Sequence, residues 1–467
     1  MGREDCERDL TFLTLLLFRN ELKPDSADAI AALKQGAVRP VMVTGDNAQC
    51  GFFIAKECGM VSPQATVMLG DVGASGSVVW TQMGEREDVK PMATSEVLAL
   101  DDPSVELAVT SGGFDWLVAQ GHMRTLVAEI RVFARMKPQQ KVAVVRMLTA
   151  RGFIVGMCGD GGNDCGALRE AHVGVSLSDA EASLVSPFTS RTKSCASVVQ
   201  LLCEGRCALA TSFAGYKFLI TYGQIFSIVK LINYYYGVIM CPQDYLTMDV
   251  VIVVWLTIAM SKSKPRAELS SYRPTSSLLG FTTVVSVFGQ HLINVAVLVT
   301  ALVLMRGTEG YIQWPAELSE GRKWWFSGDN WETTVLFVVF AVQLCSSAMI
   351  FSYGHLFRAS LWRNWSLVAA WLVMVSFVSF LLLSEPNEVV AVWHIASVNF
   401  NALGTTSPIW AAYQEAGNAP SEAGMPLSLR WRLLVLTMGG VTASALFEKL
   451  VVQGPLRPWP KARGDKV

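Results

Sequence analysis

Two hydrophobic rhythms run along the chain, and one gives way to the other near residue 205. Upstream, apolar runs are short and closed by Gly, Pro or Asp. The run Phe153-Ile154-Val155-Gly156-Met157-Cys158 leads straight into Gly159-Asp160-Gly161-Gly162-Asn163-Asp164. A few apolar residues closed by a glycine-rich turn predict a short buried strand and a tight connection. Similar runs predict strands at residues 11–18, 40–44, 105–109, 131–134 and 173–177. Helical spacing fills the gaps between them. Asp25 to Leu33 reads as a helix, with Pro24 at its start and Ala27, Ile30, Ala31 and Leu33 as its stripe. Ala48 to Cys58, Phe114 to Gln120, a segment opened by Pro138, and Asp164 to Ala171 read the same way. Residues 62–105, with Gly70, Gly73 and the charged turn Glu85-Arg86-Glu87-Asp88, predict a surface excursion from the sheet. Short strands alternating with helices predict an α/β, doubly wound domain over residues 1–205.

Downstream the apolar runs lengthen. Six candidate membrane spans are predicted at about 208–236, 246–261, 279–304, 333–352, 364–383 and 432–452, each near the roughly 20 residues that a bilayer demands. The second is short and interrupted by Asp249. The first is long for a bilayer core of about 30 Å, so its excess turns are expected to project as a stalk. This all-α membrane domain covers 206–454 and leaves a tail at 455–467. Lys262, Lys264, Arg266, Arg273, Arg358, Arg363 and the tail's Arg457, Lys461, Arg463 and Lys466 fall in segments that alternate topology puts on one side. The intervening loops are neutral or acidic, as at Glu385, Glu388, Glu415 and Glu422. By the positive-inside rule the α/β domain and the tail are then cytosolic. Arg430 and Arg432 lie on the other side and are expected to snorkel or to anchor at the interface.

Composition agrees with this division. Hydrophobic residues make up 51% and charged residues 16% of 467, and the mean hydropathy of +0.36 is high for a wholly soluble chain. A net charge of -1, without any basic run interleaved with aromatics, excludes nucleic acid as the expected partner. The ten cysteines include no CxxC pair, and Cys203 and Cys207 read as small buried hydrophobes in a reducing compartment. The first thirty residues are not expected to act as a secretory signal, because acidic residues crowd the region before Leu13–Phe18.

The candidate chemistry collects at predicted strand ends. Asp160 and Asp164 offer hard oxygen ligands suited to Mg²⁺, and the glycines let backbone approach a phosphate closely. Thr44, Gly45 and Asp46 end the strand at 40–44 with a hydroxyl and a carboxylate, where parallel sheets bind ligands. Lys141 supplies a cation if its helix begins beside the same edge, and Asn163 can hydrogen-bond a phosphate oxygen. Each fragment alone fits an ordinary turn or a solvated helix face; their order and shared position at strand ends carry the reading. Among the spans, Asp249 is a costly carboxylate that needs a cation or a partner. That partner is a bound cation, Lys230, or a hydrogen-bonding group on Tyr234, Tyr235, Tyr236 or a neighbouring span. Gln224 and Asn233 are further pocket candidates, although such groups also join helices.

Three stretches then resemble a known family: Val43-Thr44-Gly45-Asp46-Asn47, Phe133-Ala134-Arg135-Met136-Lys137-Pro138-Gln139-Gln140-Lys141, and Met157 through Leu168. They are similar to the phosphorylation domain of P-type ATPases, which has the haloacid-dehalogenase-like fold. Gly174-Val175-Ser176-Leu177-Ser178-Asp179 resembles the fifth class, and Cys165 with the run at 186–190 resembles its B subgroup. The resemblance implies ATP and Mg²⁺ as cofactors. It implies that Thr44 and Lys141 hold an aspartyl phosphate, Asp160 binds Mg²⁺, Asn163 and Asp164 complete the site, and Asp46 faces ATP. It also implies a polyamine or similar cation as cargo, a path lying partly in the spans present here (where Asp249, Gln224 and Asn233 are the candidates), membrane lipid as surroundings, and an endosomal, lysosomal or other endomembrane location.

The family's nucleophile lies in an Asp-Lys-Thr-Gly-Thr run that these residues do not contain, and Asp9-Leu10-Thr11 shares only two letters with it. The actuator domain and the first four core spans have no counterpart either. Two readings follow. The chain is the C-terminal portion of an ATP-driven transporter, or it is a catalytically inactive membrane protein that binds or regulates an intact relative. The chain alone is expected not to autophosphorylate, and association with a missing N-terminal half stays open. A soluble phosphatase is disfavoured by the absent nucleophile.

Overall fold

A computed structural model describes residues 11, 13–14, 21–84, 91–100, 102, 104–160, 162–178, 186–311, 313, 330–354, 356–385, 387–395 and 424–454. Most of the strand expected at 11–18, the charged turn at 85–88, most of the turn after Ser178, Glu415, Glu422 and the tail lie outside them. The chain divides into two compact units, one up to Gln200 and one from Leu201.

The first unit opens with helix α1 (Ser26–Gln35), strand β1 (Met42–Val43) and helix α2 (Ala48–Glu57). Asn47 starts α2 by accepting from the Cys50 backbone N–H at 2.7 Å, which satisfies one of the orphan donors of a helix start. Then come β2 (Thr66–Val72), β3 (Val78–Gln82), β4 (Met92–Ala93), α3 (Thr94–Leu98), β5 (Val105–Thr110), α4 (Ser111–Ala119), α5 (Met123–Leu126), β6 (Ile130–Ala134) and α6 (Pro138–Ala150). The six strands form one sheet in the order β1-β6-β5-β2-β3-β4. It is parallel from β1 to β2, and β3 and β4 add antiparallel at the far edge.

Residues 62–105 are therefore no surface excursion. β2 is an interior strand, and Val67 and Met68 are 1% and 2% exposed. Gly70, which broke the expected pattern, gives room to the buried Trp80, because a Cβ there would lie 3.0 Å from the indole. Trp80, Phe114, Phe133, Leu117 and Ile130 fill the core on this sheet.

A second, three-stranded sheet holds β7 (Gly156–Gly159), β8 (Val173–Ser176) and β9 (Phe188–Thr189), with α7 (Cys165–Glu170) between the first two. The strand expected from Phe153 begins three residues later. Phe153 and Ile154 are 43% and 73% exposed, so the apolar run there is not a buried strand throughout. β1 ends one sheet and β7 ends the other.

The second unit is helical. A 41-residue helix, α8 (Ala196–Tyr236), leads into α9 (Pro242–Ser261), α10 (Phe281–Arg306), α11 (Trp331–Phe351), α12 (Trp365–Leu383), α13 (Glu388–Val392) and α14 (Leu427–Val452). Among the described residues, five helices are long and apolar enough to cross a membrane: α9, α10, α11, α12 and α14. The second expected span gains a turn at its start, from residue 246 back to Pro242, which brings it to 20 residues. The expected span at 208–236 falls within α8, which is not among the five; Lys217 and Lys230 interrupt its apolar run. α11 is buried on all sides from Glu332 to Phe351. A helix apolar around its whole circumference belongs in the middle of a bundle, and α10, α12 and α14 pack around this one. Arg430 donates to the Ser384 carbonyl at 3.0 Å, capping the end of α12.

Candidate functional site

The end of β1 is built by backbone bonds to the end of β6. The Thr44 N–H donates to the Phe133 carbonyl at 2.8 Å, and the Met136 N–H returns to the Thr44 carbonyl at 2.9 Å. The Arg135 N–H donates to the Asp46 carbonyl at 2.8 Å, with Arg135 in the left-handed region at φ 55°. A non-glycine residue tolerates that conformation at a cost, so the turn is held by its surroundings. Within it, the Asp46 N–H donates to Thr44 Oγ1 at 3.1 Å, and the hydroxyl donates to Asp46 Oδ2 at 3.2 Å. The hydroxyl is thus aimed by its own turn, while Gly45 and Asp46 stay exposed.

Lys141 lies in the first turns of α6. Pro138 presets the helix start, and the Gln140 side chain accepts from the Lys137 N–H at 2.8 Å. Gln140 also donates to Asp115 at 2.7 Å and to the Ser111 carbonyl at 3.2 Å, which ties α6 to α4. The Lys141 ammonium donates to Asp164 Oδ1 at 2.7 Å, with side chains only 10% and 15% exposed. This ion pair joins the start of α6 to the turn after β7. Gln140 was not singled out from sequence, although a Gln three residues after the position before Pro138 is a readable capping signal.

The turn itself is tightly constrained. Asp164 lies over Gly159, where a Cβ would sit 2.5 Å from Asp164 Oδ2. Any larger residue at 159 displaces the carboxylate from Lys141. The Gly162 N–H donates to Asp160 Oδ1 at 3.3 Å, which orients an otherwise exposed carboxylate. Asn163 is exposed on the same turn, and Gly161 lies outside the described residues. Just before the turn, the thiols of Cys158 and Cys195 share a hydrogen bond. The same bond and burial push the Cys158 thiol up.

The structure thus joins Lys141 to Asp164 and Thr44 to Asp46, and it leaves Asp160 and Asn163 open to solvent. Among the described residues, no group of three His, Cys, Asp or Glu is gathered as a ready metal cage. Asp160 and Asp164 still suit Mg²⁺, which commonly uses one or two carboxylates and completes its octahedron with water and phosphate oxygens.

In the helical unit, Asp249 sits in a π-helical stretch, Thr247–Val254, a departure from α-geometry that often marks a functional position. Its Oδ1 accepts from the Tyr222 hydroxyl at 2.5 Å. Its partner is therefore on a neighbouring span, α8, as one of the alternatives has it, and is Tyr222 rather than Tyr234, Tyr235 or Tyr236. Among the described residues no ion pair joins Lys230 to Asp249; Lys230 instead donates to the Tyr245 hydroxyl at 2.7 Å and lies 4.0 Å over that ring. Gln224 is partly buried with its Oε1 unpaired, and Asn233 is 3% exposed beside Tyr245. Asp244, missed in the sequence, is 3% exposed; it accepts from the Cys241 N–H at 3.2 Å and leaves Oδ1 unpaired. Nothing in its local sequence separates it from a helix-start carboxylate, which it also is.

No family model matches the chain. Curated proteins do. The chain is 35% identical over 385 residues to the polyamine-transporting ATPase 13A2 of Homo sapiens, covering 78% of this chain and 32% of that protein. It is 31% identical over 441 residues to the polyamine-transporting ATPase 13A3 of Macaca fascicularis, covering 86% and 36%. It is 30% identical over 422 residues to the probable cation-transporting ATPase 13A5 of Homo sapiens, covering 82% and 35%. The chain spans about a third of the length of the curated relatives it matches. Together with five apolar helices of spanning length, these relatives identify a membrane protein. The chain belongs to the P-type ATPases, in the B subgroup of their fifth class.

Proposed function

We propose that this chain is the C-terminal portion of an ATP-driven cation pump that works through an aspartyl phosphate whose nucleophile lies upstream. The observation that carries the reading is the Lys141–Asp164 pair at 2.7 Å, which fixes a cation beside the glycine-rich turn. In this reading residues 1–205 are the later part of a haloacid-dehalogenase-like domain, and β1 and β7 are edge strands awaiting the strand that bears the nucleophile. Thr44 Oγ1 and the Lys141 ammonium hold the phosphoryl oxygens, offsetting charge where it develops. Asp46 faces the nucleotide, and Asn163 hydrogen-bonds a phosphate oxygen. Asp160 would hold Mg²⁺ together with Asp164, which also orients Lys141. Bound Mg²⁺ supplies charge neutralisation on the phosphate.

α8 serves as the sixth span, in a membrane domain over 206–454. The cargo is a polyamine or a similar organic cation, by analogy with what two of the relatives are named for. Its ammonium groups would meet Asp249, with Gln224 and Asn233 along the path. A carboxylate within an apolar span and a buried amide oxygen without a partner are what a hydrogen-bonding cation completes. The α/β domain and tail are cytosolic, and the membrane is endosomal, lysosomal or another endomembrane.

The test is phosphoenzyme formation from γ-labelled ATP and Mg²⁺ in a polypeptide that joins this chain to an upstream Asp-Lys-Thr-Gly-Thr segment. Acid-stable label is expected, lost in Asp160→Asn and in Lys141→Met. Asp249→Asn is expected to retain the label from ATP and to abolish its acceleration of turnover by polyamine. No label in the joined polypeptide would favour an inactive membrane protein that binds an intact relative.

A further inference from the structure

A polar seam runs where α10, α11 and α14 meet, apart from Asp249 and its neighbours. Ser286, Gln290 and Asn294 recur every fourth residue along α10, so they share one face. Gln343 faces them from α11, and Ser444 and Glu448 from α14. None of the six is more than 5% exposed. At one end Lys217 of α8 donates to Glu448 Oε1 and to Ser286 Oγ, both at 2.9 Å, and Ser286 donates to Glu448 Oε2 at 2.7 Å. One turn further, Gln290 Nε2 donates to the Ser444 carbonyl at 2.9 Å. At the next turn, Gln343 Nε2 donates to the Asn294 carbonyl at 3.0 Å.

Each of these side chains uses only part of its capacity. Gln290 Oε1, Gln343 Oε1, Asn294 Nδ2 and Ser444 Oγ are buried without a protein partner. Buried polar groups are nearly always satisfied by protein or by ordered water, so four orphans on successive turns call for a ligand. The donor set selects it. Two amide oxygens accept, an amide nitrogen donates, and a hydroxyl does either. A bare cation suits the oxygens but opposes Asn294 Nδ2 and the Lys217 ammonium. A lipid chain satisfies none of them. Water satisfies all four.

The seam is blind at one end. Beyond Asn294, Val297 packs so closely on Gly440 that a Cβ there would lie 2.5 Å from Val297 Cγ2, and Leu298 and Ala301 are buried. The other end reaches Lys217, whose side chain is 15% exposed against 2% for Glu448. That end also carries Tyr353, whose carbonyl accepts from Gln453, just past α14, at 2.9 Å.

We propose that this seam is an internal water site: a short file of ordered water on Gln290, Asn294, Gln343 and Ser444, entered past Lys217, that hydrates the Lys217–Glu448 pair within the bundle. The test uses the full chain in lipid nanodiscs, a small water-soluble methanethiosulfonate reagent and mass spectrometry resolved by site. Cys345, fully buried on α11, is the dry control within the same molecule. Ser444→Cys changes one atom type at a position inside the seam. A thiolate forms and reacts only where water reaches it, so Cys at 444 is expected to be modified at least about tenfold faster than Cys345. Equal rates would overturn the proposal. In the unsubstituted chain, water-edited solid-state NMR is expected to transfer magnetisation from water to the side-chain amides of Gln290, Asn294 and Gln343. No transfer to these amides, with transfer retained at exposed amides, would overturn it independently of any substitution.

Discussion

In the sheet-bearing unit, charged groups that leave water meet opposite charges across two elements. Arg131 grips Glu106 with two bonds of 3.0 Å, and Lys141 meets Asp164 at 2.7 Å. The helical unit has one such buried pair, Lys217 with Glu448, among its described residues, and it leaves the amides of Gln224, Gln290, Asn294 and Gln343 with an open end. The cause is where each fold leaves its polar positions. Parallel strands end at water, so the residues that close them are charged and accessible. Helices satisfy their own backbones, so the side chains that remain polar inside a bundle answer to something other than the fold. Losing a charge in the first unit should therefore cost chemistry more than stability, and in the second unit the reverse.

The largest effect expected from this contrast is at Lys217. Lys217→Met leaves Glu448 buried without its countercharge, and breaking a buried pair from one side costs about 3–5 kcal/mol. Denaturation of the purified protein in detergent should show that loss. Lys217→Met combined with Glu448→Leu should recover most of it, because an apolar pair of similar volume carries no stranded charge. A few ordered waters do not replace a countercharge. A loss below about 1 kcal/mol, the range of exposed pairs, would break the contrast by showing that the pair behaves as though it lay at a surface.

Gly159→Ala comes next, in the other unit. Its Cβ would lie 2.5 Å from Asp164 Oδ2, so the carboxylate must move away from Lys141. Crowding of this kind costs about 1–3 kcal/mol. Phosphoenzyme formation should fall much further than stability does. Equal losses of fold and of labelling would mean that the turn is structural.

That turn was the most legible part of the molecule. Gly159 through Asp164, Thr44-Gly45-Asp46 and Lys141 each lie at the end of a strand or the start of a helix, where local pattern and chemistry coincide. β2 was not legible, because Gly70 interrupts its apolar pattern for a reason supplied by Trp80, ten residues away on the next strand. The run at Phe153 misled in the opposite sense. Six apolar residues satisfy the strand pattern, yet nothing local records that the first two face solvent. Asp249 was found as a charge out of place. Its partner, Tyr222, stands 27 residues earlier on another helix, a relation that periodicity cannot carry. The polar seam shows itself in sequence only as an i, i+4, i+8 spacing on α10, which reads equally as helix contact until the unpaired atoms are seen.

The smallest effect sharpens the same contrast at two helix starts built alike. Asn47 accepts from the Cys50 N–H at 2.7 Å in the first unit, and Asn330 accepts from the Thr333 N–H at 2.8 Å in the second. Asn47 is exposed, whereas Asn330 is 6% exposed. Removing a cap of this kind costs typically about 1 kcal/mol, because an N–H group loses its acceptor. Water can replace that acceptor at residue 50. At residue 333 it cannot enter without disturbing the packing around α11. Asn47→Ala should therefore stay near or below about 1 kcal/mol, and Asn330→Ala should approach the upper end of about 2 kcal/mol, both measured by denaturation of the full chain. Equal costs would mean that the start of α11 is already hydrated, and the difference in water access between the units would not extend to their helix ends.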